Sequence, residues 1–166
     1  MTSPTQHDPE IDPARFRQVL GHFPTGVTIV ACDDDGTQAG LAVGSFMSVS
    51  LDPPLIGFCP SKTSETWPHI ESAGTFCVNV LAEDQEEMCR VFAGKQQDKF
   101  RHFGWRPAAT GSPILDDVLA WIDCRVEGTY DAGDHHLVLG RVLELEVARE
   151  GKPLLFFRGG YGRFEG

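Results

Sequence analysis

Basic side chains are scarce in this 166-residue chain: 14 lysines and arginines stand against 24 aspartates and glutamates, a formal net charge of −10. A surface of that sign repels nucleic acid and anionic membranes, so neither is expected as a partner, and any phosphate must be held by local donors. Long apolar runs are also missing. Unbroken stretches such as Leu154 to Phe157 fall far short of a membrane span, and the opening MTSPTQHDPE has no apolar core of a secretory leader, which reads as a cytoplasmic protein. The five cysteines (Cys32, Cys59, Cys77, Cys89 and Cys124) are odd in number and never closely paired. That excludes a CxxC metal knuckle and a complete disulfide framework, and leaves most of them as small core hydrophobes. Neither GxGxxG nor GxxxxGK is present, nor HExxH or GxSxG, so Rossmann, P-loop, zincin and nucleophile-elbow chemistries lose their warrants. The six histidines are scattered except for His135 and His136, which fall on opposite faces of a strand and cannot share one metal in regular geometry. No metal site is expected.

What the chain does hold is core-forming material: 41% of its residues are apolar, 10% aromatic and 23% charged. That composition and length predict one globular domain over 12–166 behind a flexible tail at 1–11. Asp12 followed by Pro13 starts an amphipathic helix whose Phe16, Val19, Leu20 and Phe23 are spaced to pack on something else. Strands are expected at GVTIVA (Gly26 to Ala31), after the turn Asp33 to Gly36 from Ala39, at LIGFC behind Pro53 and Pro54, and at Thr75 to Leu81. Further strands are expected at Leu119 to Tyr130, His136 to Val147 and Pro153 to Phe157. Two short helices fall between them, SETWPHIESAG with Ser64 as N-cap and Gly74 as stop, and EDQEEMCRVFAG with Met88, Val91 and Phe92 on one face. Strands joined by tight turns favour a mainly β, antiparallel barrel with peripheral helices, an α+β arrangement, over a doubly wound sheet.

Three segments carry candidate chemistry. GSFMSVSLDPPL (Gly44 to Leu55) sets Ser45, Ser48 and Ser50 before a rigid diproline, either as a polar ledge for a flat ligand or as an irregular edge strand. CPSKTSETW clusters Ser61, Lys62, Thr63, Ser64 and Thr66 at a helix start, which is either a phosphate cradle or a helix capped by Ser64 with Lys62 solvated. DAGDHHLVLG puts His135 after a Gly-Asp turn, either touching a ligand ring or solvated in a hairpin.

Together with FRQVLGHFPTGVTIV, SAGTFCVNVLAEDQ, FAGKQQDKF and PLLFFRGGY, these segments resemble the flavin reductase-like family, from Phe16 to about Tyr161. Among its members the chain looks most like reductase components paired with hydroxylases of aromatic and steroid-derived phenols. The resemblance implies a split β-barrel of the FMN-binding type, acting as a homodimer with a flavin near each subunit interface. It further implies an NAD(P)H:flavin oxidoreductase that reduces FMN or FAD with NADH, or NADPH, and supplies reduced flavin to a separate monooxygenase. By matched segment, Ser45, Phe46, Ser48, Val49 and Ser50 would line the isoalloxazine, and Ser61, Lys62, Thr63, Ser64 and Thr66 would hold the phosphate and ribityl chain. Phe92, Lys99 and Phe100 would approach the flavin, and His135 would contact nicotinamide. Many relatives carry asparagine where Gly44 stands, so a contact made there by an amide is lost or made by backbone. A non-catalytic flavin-binding or electron-storage protein on the same barrel would keep the phosphate cradle and lack a productive nicotinamide site. The Gly-Asp-His at 133 to 135 favours the enzyme.

Overall fold

A computed structural model describes residues 10–166; most of the expected N-terminal tail lies outside that range. The chain is mainly β. Helix α1 (Pro13–Leu20) leads into β1 (Thr25–Gly26), β2 (Thr28–Asp34), β3 (Thr37–Val43), β4 (Met47–Leu51) and β5 (Pro54–Phe58). Then come α2 (Trp67–Ala73), β6 (Thr75–Val80), α3 (Glu86–Ala93) and a single 3-10 turn (Lys99–His102). The chain ends with β7 (Trp105–Pro107), β8 (Pro113–Leu115), β9 (Ala120–Ala132), β10 (His135–Val147), β11 (Leu154–Phe157) and β12 (Gly160–Arg163). Seven strands form one antiparallel sheet in the order β3-β2-β6-β9-β10-β5-β4, beside a small β1-β11-β12 sheet and a β7-β8 pair.

The unbroken apolar stretches of β2 and β6 follow from burial on both faces. Because successive side chains alternate, Ile29, Ala31 and Cys77 pack on one side with Met88, Phe92, Phe100, Ile114 and Leu115. Val30, Cys32, Phe76 and Val78 pack on the other with Ile56, Phe58, Trp67, Ile70 and Val138. One polar group crosses the first core. The Asn79 side chain is fully buried, donates to the carbonyls of Ile29, Cys77 and Pro113 and accepts from Leu115 N–H at 2.8 Å, so β6 is pinned to β2 and β8 with its amide satisfied.

The two outermost strands of the large sheet, β3 and β4, are consecutive in sequence and joined by Gly44 to Phe46 alone. Four peptide steps reach about 14 Å, whereas six strand spacings of a flat sheet span about 29 Å. The sheet therefore curls until its edges approach at this end. Its hydrogen-bonded ladder stays open, with no β3–β4 pairing among the described residues.

Several elements differ from their expected bounds. The strand expected from Gly26 breaks into β1 and β2, and the β9 and β10 strands run to Ala132 and from His135, two residues and one residue further than their apolar pattern. The second helix begins at Trp67 with Thr66 at the cap position. Ser64 lies a little earlier, where its Oγ still accepts from the N–H groups of Thr66 and Trp67, each at 3.2 Å. Helix α1 forms as expected, with Asp12 capping Ala14 and Arg15, but its Phe16, Val19, Leu20 and Phe23 are exposed in the single chain rather than packed on its core. No described helix is long and apolar enough to cross a membrane.

Candidate active site

Curling the sheet leaves a cleft beside β3, whose outer edge has no partner strand. Gly40 O accepts there from Thr66 Oγ1 and from Lys99 Nζ, both at 3.2 Å. Since the N–H and C=O of a residue in an antiparallel strand point to the same side, and residues two apart repeat that side, Gln38 and Ala42 also turn their backbone groups to the cleft. The cleft has two connected parts. One, of about 610 Å³, runs along Thr37 to Ala42 and is closed by the start of α2 and the segment from Phe92 to Phe100. The other, of about 440 Å³, lies between Leu41 to Ser45, Cys59 to Ser61 and His135. Leu41, Ala42, Ser61 and Ser64 line both, so β3 acts as a ruler along the whole groove.

The loop after β5 is zipped onto the β9–β10 turn. Lys62 N–H donates to Asp134 O at 3.0 Å, His136 N–H donates to Pro60 O at 2.9 Å, and Ser61 bridges His135. The Lys62 ammonium donates to Asp131 at 2.6 Å and so holds that carboxyl below the usual carboxylate range. Asp134 is lowered in the same way by the His135 ring, whose Nδ1 lies 2.7 Å from its Oδ1. A carboxylate only accepts, so Nδ1 carries the proton and Nε2 is the free nitrogen. His136 goes to the other side of β10 and packs on Trp67, with ring centroids 5.4 Å apart, as alternation along a strand requires.

The groove gathers nine of the residues singled out from the sequence: Ser45, Ser61, Thr63, Ser64, Thr66, Phe92, Lys99, Phe100 and His135 all line it. Within it Ser61 and Thr63 share a hydrogen bond at 2.9 Å, and Ser45 Oγ accepts from Cys59 N–H at 2.9 Å, clasping the lead-in of β4 to the end of β5. Phe92 and Phe100 are buried edge to face, 5.0 Å apart, and form the floor. Lys99 is anchored by two carbonyls, Gly40 O and Phe92 O, and partial burial pushes its ammonium below the usual lysine range. Phe46, Lys62, Ser48, Val49 and Ser50 do not line the groove in the single chain. Phe46 packs against the second core; Ser48 to Ser50 sit on the edge strand β4, where a bulge leaves Val49 unpaired.

Chemically, the groove offers hydroxyls at its middle, an aromatic floor and one tethered cation. Its rim is balanced, Lys95 and Lys99 against Glu65 and Asp98. Such a set suits a flat ligand carrying an anionic tail, and no cluster able to hold a metal ion occurs among the described residues. At Gly44 a Cβ would lie 3.1 Å from Thr25 Oγ1, a buried hydroxyl without a partner, so the absent side chain leaves backbone alone facing the second part of the groove. His69 was not singled out from the sequence. It lines the far end of the groove, its Nδ1 2.8 Å from Asp34, and no local pattern announces a pairing across 35 residues.

Residues 20–165 match the family described as flavin reductase like domain. The chain is 54% identical over 155 residues to a flavin reductase of Pseudomonas putida, covering 93% of this chain and 91% of the relative. It is 52% identical to the reductase subunit of a flavin-dependent monooxygenase of Rhodococcus jostii, covering 93% and 80%. Among solved structures, the NADH:FAD oxidoreductase of Streptomyces globisporus in complex with NAD and FAD fragments superposes with a TM-score of 0.87 at 34% identity, covering 95% of this chain and 97% of that one.

Proposed function

The chain belongs to the flavin reductase-like family, and from that premise we propose that it is the NAD(P)H-dependent flavin reductase component of a two-component system, passing reduced FMN or FAD to a separate monooxygenase. The observation that carries the site assignment is the zipper between the loop at Ser61 and the turn at His135, which sets a hydroxyl cluster and an imidazole side by side in one groove. Flavin, when bound, supplies the acceptor for a hydride from nicotinamide. The protein's share is to bind and align. Ser61, Thr63 and Ser64 receive the phosphate, with Thr66 bracing the strand through Gly40 O; Lys62, outside the groove and paired with Asp131, ties down the loop that carries them; Phe92 and Phe100 support the floor. Lys99 brings a cation, fixed on two carbonyls, to the part of the groove that receives the phosphate. His135, its tautomer set by Asp134, orients the nicotinamide.

The fold is read as a split barrel, supported by edges that must meet across Gly44 to Phe46. A homodimer in the cytoplasm completes the site. Its support is apolar surface that a lone chain leaves bare: Phe16 and Leu20 on α1, Met47 and Val49 on β4, Leu143 and Leu145 on β10. In the dimer, β4 brings Ser48, Val49 and Ser50 against the ring. Stopped-flow absorbance of the protein mixed with flavin and either NADH or NADPH tests the proposal. Bleaching of the visible flavin band with turnover is expected, faster with NADH; no bleaching with either donor would refute it.

A further inference from the structure

The groove is longer than the stretch that the assignment above uses. From Ser45 and His135 at one end to Ser61 and Ser64 in the middle it has room for a ring and its ribityl phosphate. It then continues along β3 past Gly40 to Thr37, a further three residues or about 10 Å of strand. At that far end His69 projects from the first turn of α2. Asp34, the last residue of β2, accepts from His69 Nδ1 at 2.8 Å and from Ser72 Oγ at 2.9 Å. These two hydrogen bonds keep the Asp34 carboxyl ionised below its usual range. An ionised acceptor fixes the proton on Nδ1, locks the ring and leaves Nε2 uncommitted on a half-exposed imidazole lining the groove. The neighbouring Gln38 amide is spent on Asp33 and Gly36 O. Lys95 lines the same end, opposed by Glu65. A simple brace between α2 and β2 would need the His69–Asp34 bond but not a ring open to the groove beyond the phosphate-binding hydroxyls.

We propose that His69, oriented by Asp34, contacts the adenylate half of a dinucleotide flavin and makes the protein prefer FAD to FMN. The inference rests on the flavin assignment of the groove. It requires that the ring lie toward His135 and the diphosphate pass Ser64 toward Thr37.

Quenching of flavin fluorescence gives dissociation constants for FAD and FMN with wild type, His69→Ala and His69→Gln, and steady-state rates with FMN give the NADH constant for each. Wild type is expected to bind FAD more tightly than FMN. His69→Ala should weaken FAD about tenfold and leave FMN unchanged, as loss of one hydrogen bond accepted by Nε2 predicts, and His69→Gln, whose side-chain carbonyl keeps an acceptor there, should recover part of it. Equal loss for both flavins would make His69 a brace for the Ser61 to Thr66 loop and overturn the proposal. So would unchanged constants, or a wild type with no preference for FAD. A raised NADH constant with flavin selectivity intact would assign the far end to the adenylate of the donor instead, again overturning it. A wild type that binds neither flavin would remove the flavin assignment itself, an outcome distinct from the others.

Discussion

Asp123 shows what a buried carboxyl does in this core. It is fully buried on β9 and accepts from Thr110 N–H at 3.0 Å and Thr110 Oγ1 at 2.6 Å, yet no cation reaches it, so burial pushes its pKa above the ordinary carboxylate value. A carboxyl raised in the folded state favours folding below its unfolded pKa and loses that contribution as pH rises through the folded one. Asp123→Asn removes the titration. Its melting temperature relative to wild type should therefore climb as pH rises above the ordinary aspartate range of about 4, measured by thermal melts from acid to neutral pH; a constant difference would show that Asp123 ionises as if solvated. The surface carboxyls run the other way, since Asp34, Asp84 and Glu127 are all lowered by hydrogen-bonded partners. The thiols were legible from the sequence: none is paired, four are buried, and burial lifts Cys32 and Cys124 to about 12. His69 was not legible, because its partner and the groove it faces exist only once β2 and α2 are packed together.

At the scale of elements, local chemistry announced some features and tertiary context decided others. Asp35 and Gly36, with φ of 52° and 88°, make the primed turn between β2 and β3 that an Asp-Gly pair advertises. Arg158 and Gly159 repeat it between β11 and β12, although a short strand such as GYGR, half glycine, carries no alternating pattern to reveal β12. The three-residue strands β7 and β8 escaped for a similar reason, lying between prolines with too few residues to show a period. Helix α1 was legible as a helix, but its apolar stripe, expected to pack on something else, is exposed and finds no partner among the described residues. The same demand comes from β10, whose outer half projects Leu143, Leu145 and Val147, exposed by 50%, 63% and 71%. Leu145→Lys should convert the expected dimer into a monomer with its melting cooperativity retained, read by light scattering at fixed concentration. A variant that stays dimeric would place the interface elsewhere, toward α1.

For the whole molecule, a curled sheet held by tight cores explains why so little space is wasted. At Gly140 a Cβ would come within 2.5 Å of Phe76, and at Gly40 within 2.8 Å of Phe92, so each glycine lets a strand close onto an aromatic ring. The second of these sets the depth of the groove, because Phe92 and the carbonyl of Gly40 are both anchors of Lys99. The open edge of β3 has another consequence. Unpaired strand edges recruit strands from other chains, and here the recruiting edge is the wall of the groove, so a flavin bound there as proposed would double as a guard against self-association. Protein stripped of flavin should cloud on storage sooner than the same preparation kept with saturating FAD, with turbidity at constant temperature as the clock. Equal clouding times would mean that the edge is already shielded without a ligand. On this view the cell's flavin supply governs how long the reductase stays in solution as well as how fast it works.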